Sequence, residues 1–254
     1  GSGQAEVLRG LKKHDCNLTA IVAVTDCGRS TGVIRKNFDI PAPGDIRNCI
    51  VALSESEPLI KDLFLYRFKN GNDLAGMNFG NLFLTAMTKV KGNFASAVEE
   101  MSKILKIRGD VLPATLGNTH ICARLDDGNV IEGEANISRS YSEKKRVEEI
   151  YLKDDAEANK KCIDAIKKAD IVVIGPGGLY TSLIANIVPQ GMARAIRKSK
   201  AKKVFVANVA TQQGVTDGFS ALDHIKEMEK YLREGSDGNV LDYVLINNKK
   251  PPKD

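Results

Sequence analysis

Several short stretches of this chain carry side chains that could grip an anion. Asp45-Ile46-Arg47-Asn48 sets an acid, a base and an amide within about one helical turn, and Arg47 can hold a phosphate with two parallel N–H donors. Gly175-Pro176-Gly177-Gly178-Leu179-Tyr180-Thr181-Ser182 follows an apolar run and precedes a helical pattern. Its glycines allow close backbone approach to a ligand, and Thr181 and Ser182 can donate hydroxyls to phosphate. Gly1-Ser2-Gly3 opens another helical pattern, where backbone amides and the helix dipole favour a phosphate. Asn78-Phe79-Gly80-Asn81 places two amides around an aromatic ring and a glycine, which suits a base or a sugar. Each stretch also has a bland reading: a strand-to-helix turn, a helix cap, a surface arginine.

Acids at strand ends add to this set. Asp26 follows the apolar, β-branched run Thr19 to Thr25, where it could hold a metal ion or a ligand hydroxyl. Asp26 and Asp45 are the candidate catalytic carboxylates, and Asp217 is a further acid. Asn208 and Thr211 close a later strand-like run, Lys203 to Asn208. His120, in a β-like run, reads as a satisfied core residue, and His14 and His224 read as helix-surface residues. No nucleophile elbow and no Ser-His-Asp order is visible. Five scattered cysteines, with no CxxC pair and no zinc-ligand spacing, suit a reducing cytosol.

The elements that must position these groups follow from the hydrophobic pattern. Helices are expected over Ala5 to Lys12, Ile46 to Leu53 with Asp45 as cap, Pro58 to Phe68, Phe79 to Lys89, Asn93 to Ile107, Ala158 to Ala169, Met192 to Lys198 and Ser220 to Arg233. Asp26 to Gly32 reads as a polar, glycine-punctuated loop. Strands are expected at Thr19 to Thr25, Asp170 to Gly175, Lys203 to Asn208 and Tyr243 to Asn247. Between them, Val111 to Leu116, His120 to Leu125, Val130 to Glu134 and Ile150 to Leu152 are short β-like runs, with Asp127-Gly128 a hairpin signal. Alternating strands and helices imply an α/β fold with a doubly wound, mostly parallel sheet. The expected organisation is 1–109 as a first half, 110–152 as a small β-rich insertion, 153–247 as a second half and 248–254 as a disordered tail.

Composition narrows the function. The 254 residues are 43% hydrophobic and 27% charged, enough for a real core. The net charge of +5 lies largely in short lysine runs that read as solvated helix faces. With 6% aromatics and no tryptophan, a stacking nucleic-acid surface is not expected. No apolar run approaches a membrane span and no basic-then-apolar leader opens the chain, so a cytoplasmic protein is expected.

Taken in order, Gly1-Ser2-Gly3, Thr25-Asp26-Cys27-Gly28, Pro43 to Asn48, Leu74-Ala75-Gly76 with Phe79 to Phe83, Leu112 to Thr115, Gly175-Pro176-Gly177 with Leu179 to Ser182, and Asp217 to Ser220 resemble the YvcK/CofD-like family, most of all its gluconeogenesis-factor (YvcK-like) branch. The resemblance spans essentially the whole chain. It implies a Rossmann-like nucleotide-binding fold, a phosphate-binding role for Gly1, Gly3, Gly177, Thr181 and Ser182, and ligand contacts at Asp45, Asn48, Asn81 and Asn208. YvcK-like members bind UDP-sugars such as UDP-N-acetylglucosamine and serve carbon metabolism and envelope regulation. The CofD branch transfers a phospholactyl group from a guanosine diphosphate donor to a deazaflavin, with magnesium. A homodimer is compatible with either branch.

The chain departs from the family pattern at four points. It has Asp26-Cys27-Gly28-Arg29 for Asp-Asp-Gly-Gly, Met77-Asn78 for His-Ser, Gly178 for a serine and Gln213 for a proline. Cys27 removes a second acid, which weighs against magnesium, and Arg29 could add charge for a phosphate. Three functions stay open. The first is a regulatory binder of a nucleotide-sugar or dinucleotide, with a UDP-sugar, NAD or GDP as ligand. The second is a phospholactate-type transferase with magnesium on Asp26 and Asp45. The third is an NAD-dependent oxidoreductase, disfavoured because Gly1-Ser2-Gly3-Gln4-Ala5-Glu6 lacks the last glycine of the dinucleotide fingerprint.

Overall fold

Helix α1 (Ser2–Leu11) leads into strand β1 (Thr19–Val22) in the computed structural model, which describes residues 2–137 and 145–249. Gly1 and most of the tail, 250–254, lie outside the described residues, as do 138–144. Then come α2 (Arg29–Phe38), α3 (Gly44–Leu53), α4 (Pro58–Leu65), α5 (Phe79–Lys91) and α6 (Phe94–Ile104). Strand β2 (Asp110–Pro113) pairs in parallel with β1, Ala20 opposite Val111. Strands β3 (Ile121–Leu125), β4 (Val130–Glu132) and β5 (Val147–Leu152) form an antiparallel sheet in the order β4-β3-β5, with the short helix α7 (Glu134–Ile137) after β4. The second half holds α8 (Lys160–Lys168), β6 (Ile171–Ile174), a π-helical turn (Leu179–Ile184), α9 (Ala185–Ile187), α10 (Met192–Lys198), β7 (Lys202–Val206), α11 (Ala221–Arg233) and β8 (Tyr243–Leu245). β6, β7 and β8 pair in parallel in that order. The fold is α/β and Rossmann-like, with parallel strands joined through helices.

Local chemistry explains the helix ends. Asn93 accepts from the Ser96 amide, Asn159 from the Lys161 amide, and Ser220 forms a reciprocal box with Asp223. Three expectations need correcting. Asp45 does not cap α3, which starts at Gly44 behind Pro43 without a side-chain bond, so Asp45 sits in the first turn. The stretch Asp26 to Gly32 is a loop only to Gly28, because α2 begins at Arg29 and buries Ser30, Thr31 and Ile34. His224 is not on the surface. It is buried, its ring stands edge-on to Phe219, and its Nδ1 lies 2.9 Å from the Ser220 carbonyl. His120 is half-exposed, 4.0 Å from Glu132, rather than a core residue.

Of the stretch 110–152, Asp110–Pro113 joins β1, and the antiparallel sheet takes up 121–152. Two apolar clusters flank the site. One centres on Ile46, Ile50, Leu84 and Met101 around α3, α5 and α6. The other, around Phe205, Ile184, Ile137 and Met228, joins the second half to the antiparallel sheet. Among the described residues no helix is long and apolar enough to cross a membrane.

Candidate functional site

The loop after β1 is fixed from two sides. The Asp26 carboxylate accepts from the Gly28 amide at 2.7 Å, an Asx-type turn. Arg35 on α2 reaches back beneath the loop. Its guanidinium donates to the carbonyls of Thr25 (3.0 Å), Asp26 (3.2 Å) and Thr119 (2.6 Å) and to the Asn118 amide oxygen (2.9 Å). Gly44 belongs here for a steric reason. A Cβ on it would lie 2.7 Å from Thr31 Oγ1 and 3.2 Å from an Asp26 oxygen, so glycine lets the start of α3 close on this loop.

Glu134, the first residue of α7, joins the parts. It hydrogen-bonds Asp26 and Thr181 and stands within the field of Asp45. Burial pushes its carboxyl well above the ordinary carboxylate range, and the charge of Asp26 and its hydrogen bond to that residue add to the effect. The proton on Glu134 therefore lies between two carboxyl groups. Asp26 follows β1, and Thr181 lies in the turn after β6. The tips of both halves of the molecule thus meet at one acid.

Beside this acidic group sits a basic one. Arg47 on α3 is 7% exposed, and only its Nη2 donor has a close partner, the Asn48 amide oxygen at 2.6 Å. Its Nε is buried without a partner. Burial and the neighbouring Arg67 lower its pKa to about 10, against the opposing pull of Asp45 and Asp26. Arg67 donates to the Gly76 carbonyl and lies 3.4 Å from Ser30 Oγ. The Asn81 amide donates to the same Ser30 hydroxyl at 3.1 Å, while its oxygen is buried with no partner. Two arginines that repel each other, with an unsatisfied donor and acceptor nearby, are the chemistry of an anion site. Gly80 makes room for it, since a Cβ there would lie 2.5 Å from the Phe64 carbonyl and 2.7 Å from Arg47 Cδ.

The second-half loops are tied to each other. Asn208 accepts from the Gly177 amide at 3.1 Å and donates to the Gly177 carbonyl at 2.8 Å. Gly3 starts α1 against Pro176, whose carbonyl a Cβ would approach to 2.6 Å. Gly175 has φ +95, and a Cβ on it would meet the Val206 carbonyl at 2.5 Å. Ser182 is half-buried behind this loop.

The structure thus brings together Asp26, Gly44, Asp45, Arg47, Asn48, Gly80, Asn81 and Thr181. Asn78 is nearby but committed: it caps α5 through the Asn81 amide and donates to the carbonyls of Leu65 and Tyr66. Tyr180 is 2% exposed and packs in the second core cluster. Thr211 is exposed. Gly1 and the side chain of Arg29 lie outside the described residues, as does the side chain of Ser2. Sequence reading missed Glu134, Arg35 and Arg67. A signal for Glu134 existed in Gly133-Glu134 at a strand end, where Gly133 has φ +89. Arg35 was hidden by reading the start of α2 as loop.

Magnesium does not fit the carboxylates as they stand. Among the described residues, no group of three or more His, Cys, Asp or Glu side chains is disposed to hold a metal ion. Asp26 is already engaged by an amide and by Glu134.

A Rossmann-like α/β fold with basic and acidic groups gathered at its strand tips defines the class, a fold built to hold a phosphate-bearing ligand. The chain belongs to the CofD family: the family profile described as 2-phospho-L-lactate transferase CofD matches residues 1–254. It is 44% identical over 247 residues to the gluconeogenesis factor of Halalkalibacterium halodurans, covering 97% of this chain and 75% of that one. With the gluconeogenesis factor of Bacillus subtilis the identity is 42% over 253 residues, covering 99% and 78%. The crystal structure of protein BH3568 from Bacillus halodurans superposes with a TM-score of 0.94 at 42% identity, covering 99% of this chain and 79% of that one.

Proposed function

We propose that the chain binds a nucleoside-diphosphate ligand, a nucleotide-sugar such as UDP-N-acetylglucosamine or else a dinucleotide, and acts as a regulator of carbon metabolism or envelope synthesis. The observation that carries this reading is the buried, unpartnered pair Arg47 Nε and Asn81 Oδ1 beside Arg67. Leaving such groups unsatisfied costs about 1–3 kcal/mol each, a cost that a bound phosphate oxygen and a ligand hydroxyl or amide would remove. The carboxylates of Asp26 and Asp45 next to them accept hydrogen bonds from sugar hydroxyls. The gluconeogenesis factors among the relatives support the regulatory role. Calorimetry with UDP-N-acetylglucosamine, NAD and GDP tests the reading. One of them binds, and Arg47→Ala abolishes that binding; if none binds, the reading fails.

A second reading, a phospholactate-type transferase, draws on the family profile and on the shared proton at Glu134. Turnover of a deazaflavin acceptor with a nucleoside-diphosphate phospholactate donor, lost in Asp26→Asn, would favour it over a pure binder.

A further inference from the structure

A hollow of about 1520 Å³ runs between β1 and β6, and it is the shape of a missing strand. β1 pairs only with β2, and β6 only with β7; no strand among the described residues pairs with the other edge of either. The backbone directions settle which groups face the gap. The carbonyls of Leu18 and Val22 bond to β2-side amides, so Thr19, Ile21 and Ala23 present their amides and carbonyls to the hollow. The Asp170 carbonyl bonds to the Lys202 amide, so Ile171 and Val173 do the same from β6. The Ile21 carbonyl is met only by a side chain, the Gln4 amide at 2.9 Å. Ile171 and Val173 are 61% and 43% exposed, unusual for apolar residues in a strand flanked by helices.

Both strands run toward the site, since Asp26 past β1 and Thr181 past β6 meet at Glu134. An occupant between them must therefore run parallel to both. Residues of α1 and α8 line the hollow, so this strand would be covered on both faces and apolar throughout. α1 follows the far end of the slot: Gly3 lies against Pro176, just past β6. A strand ending there passes into α1 and returns as β1, the usual parallel β-α-β crossover.

We propose that the slot between β1 and β6 takes one extended, apolar, β-branched strand of about five residues, parallel to both edges and joined to the start of α1. Its insertion turns the separate β1-β2 and β6-β7-β8 sheets into one. It also carries its C-terminal end to Asp45, Gly177 and Ser182, which line the same hollow. The inference rests on the sheet edges alone and does not depend on the ligand reading.

Hydrogen exchange, measured without nucleotide, tests it. The probe is an acetylated peptide of five alternating valines and isoleucines followed by two glycines, with leading lysines for solubility. It is added in trans to the 254-residue chain and, separately, fused ahead of Gly1. We expect the amides of Ile21, Ala23, Ile171 and Val173 to exchange at least tenfold more slowly in both cases, with those of β3 unchanged. Val173→Pro deletes a slot-facing amide and leaves the β7 ladder intact. It should weaken the peptide at least tenfold without shifting the melting temperature of the free chain by more than a degree or two. Equal protection by a proline-interrupted peptide, or an unchanged affinity in Val173→Pro, would overturn the proposal. So would protection that rises with protein concentration alone, which marks a second copy as occupant, and so would no protection from the fused strand. A nucleotide failing to bind would leave these results untouched.

Discussion

The strand tips of the two halves are built to opposite rules. In the second half, Asn208 and Gly177 satisfy each other in both directions, and the glycines at 175 and 3 admit neighbouring carbonyls rather than a ligand. In the first half, Arg47 and Asn81 keep buried polar atoms unpaired, and Arg47 faces a second arginine. A satisfied loop gains nothing from a guest, whereas an unsatisfied one is stabilised by it. The contrast shows that glycine content alone is a poor guide to where an anion sits. The glycine-rich turn is a clamp between strands, and the helix α3 with its arginine is the better candidate for the grip.

Substitutions can break or sharpen that contrast. Arg47→Ala should cost the most, about 2–4 kcal/mol of ligand affinity by calorimetry, because it removes a buried charge-assisted donor. Gly80→Ala should lower stability in chemical denaturation by about 1–3 kcal/mol, since its methyl group meets the Phe64 carbonyl and displaces Arg47. Glu134 gives a pH signature. Its carboxyl titrates higher in the folded chain than in the unfolded one. The stability it contributes is therefore complete below the ordinary carboxylate value and is lost as pH rises through the raised one. Glu134→Gln, which keeps a neutral donor, should flatten that alkaline decline, on the order of 2 kcal/mol, in melts recorded across pH. Asn208→Ala should destabilise by about 1 kcal/mol and leave affinity nearly unchanged. Thr211→Ala, at an exposed site, should stay within about 0.5 kcal/mol on both measurements.

The fold was legible where burial imposes a period or a cap. The apolar run Thr19 to Thr25 and the capping residues Asn93 and Ser220 marked β1, α6 and α11 closely, because local chemistry decides those ends. The start of α2 was not legible. Gly28, Ser30 and Thr31 have turn chemistry, and only the packing of Ser30, Thr31 and Ile34 against other elements makes a helix there. At the site, Asp45, Arg47 and Asn81 stood out by residue type and spacing. Glu134 did not, because its meaning comes from Asp26 and Thr181, which lie 108 and 47 residues away in sequence. Asn78 was legible as a group but not in its role, since only the paths of the Leu65 and Tyr66 carbonyls show that its amide is already used.

Arg35 holds four points of the chain with one rigid fork: Thr25, Asp26, Asn118 and Thr119. Such a rivet lets neither side shift alone. A guest that pulls Asp26 inward must drag the 118–119 connection and the first strand of the antiparallel sheet with it. News of an occupied pocket would therefore reach the outer face of that sheet mechanically, with no need for a hinge.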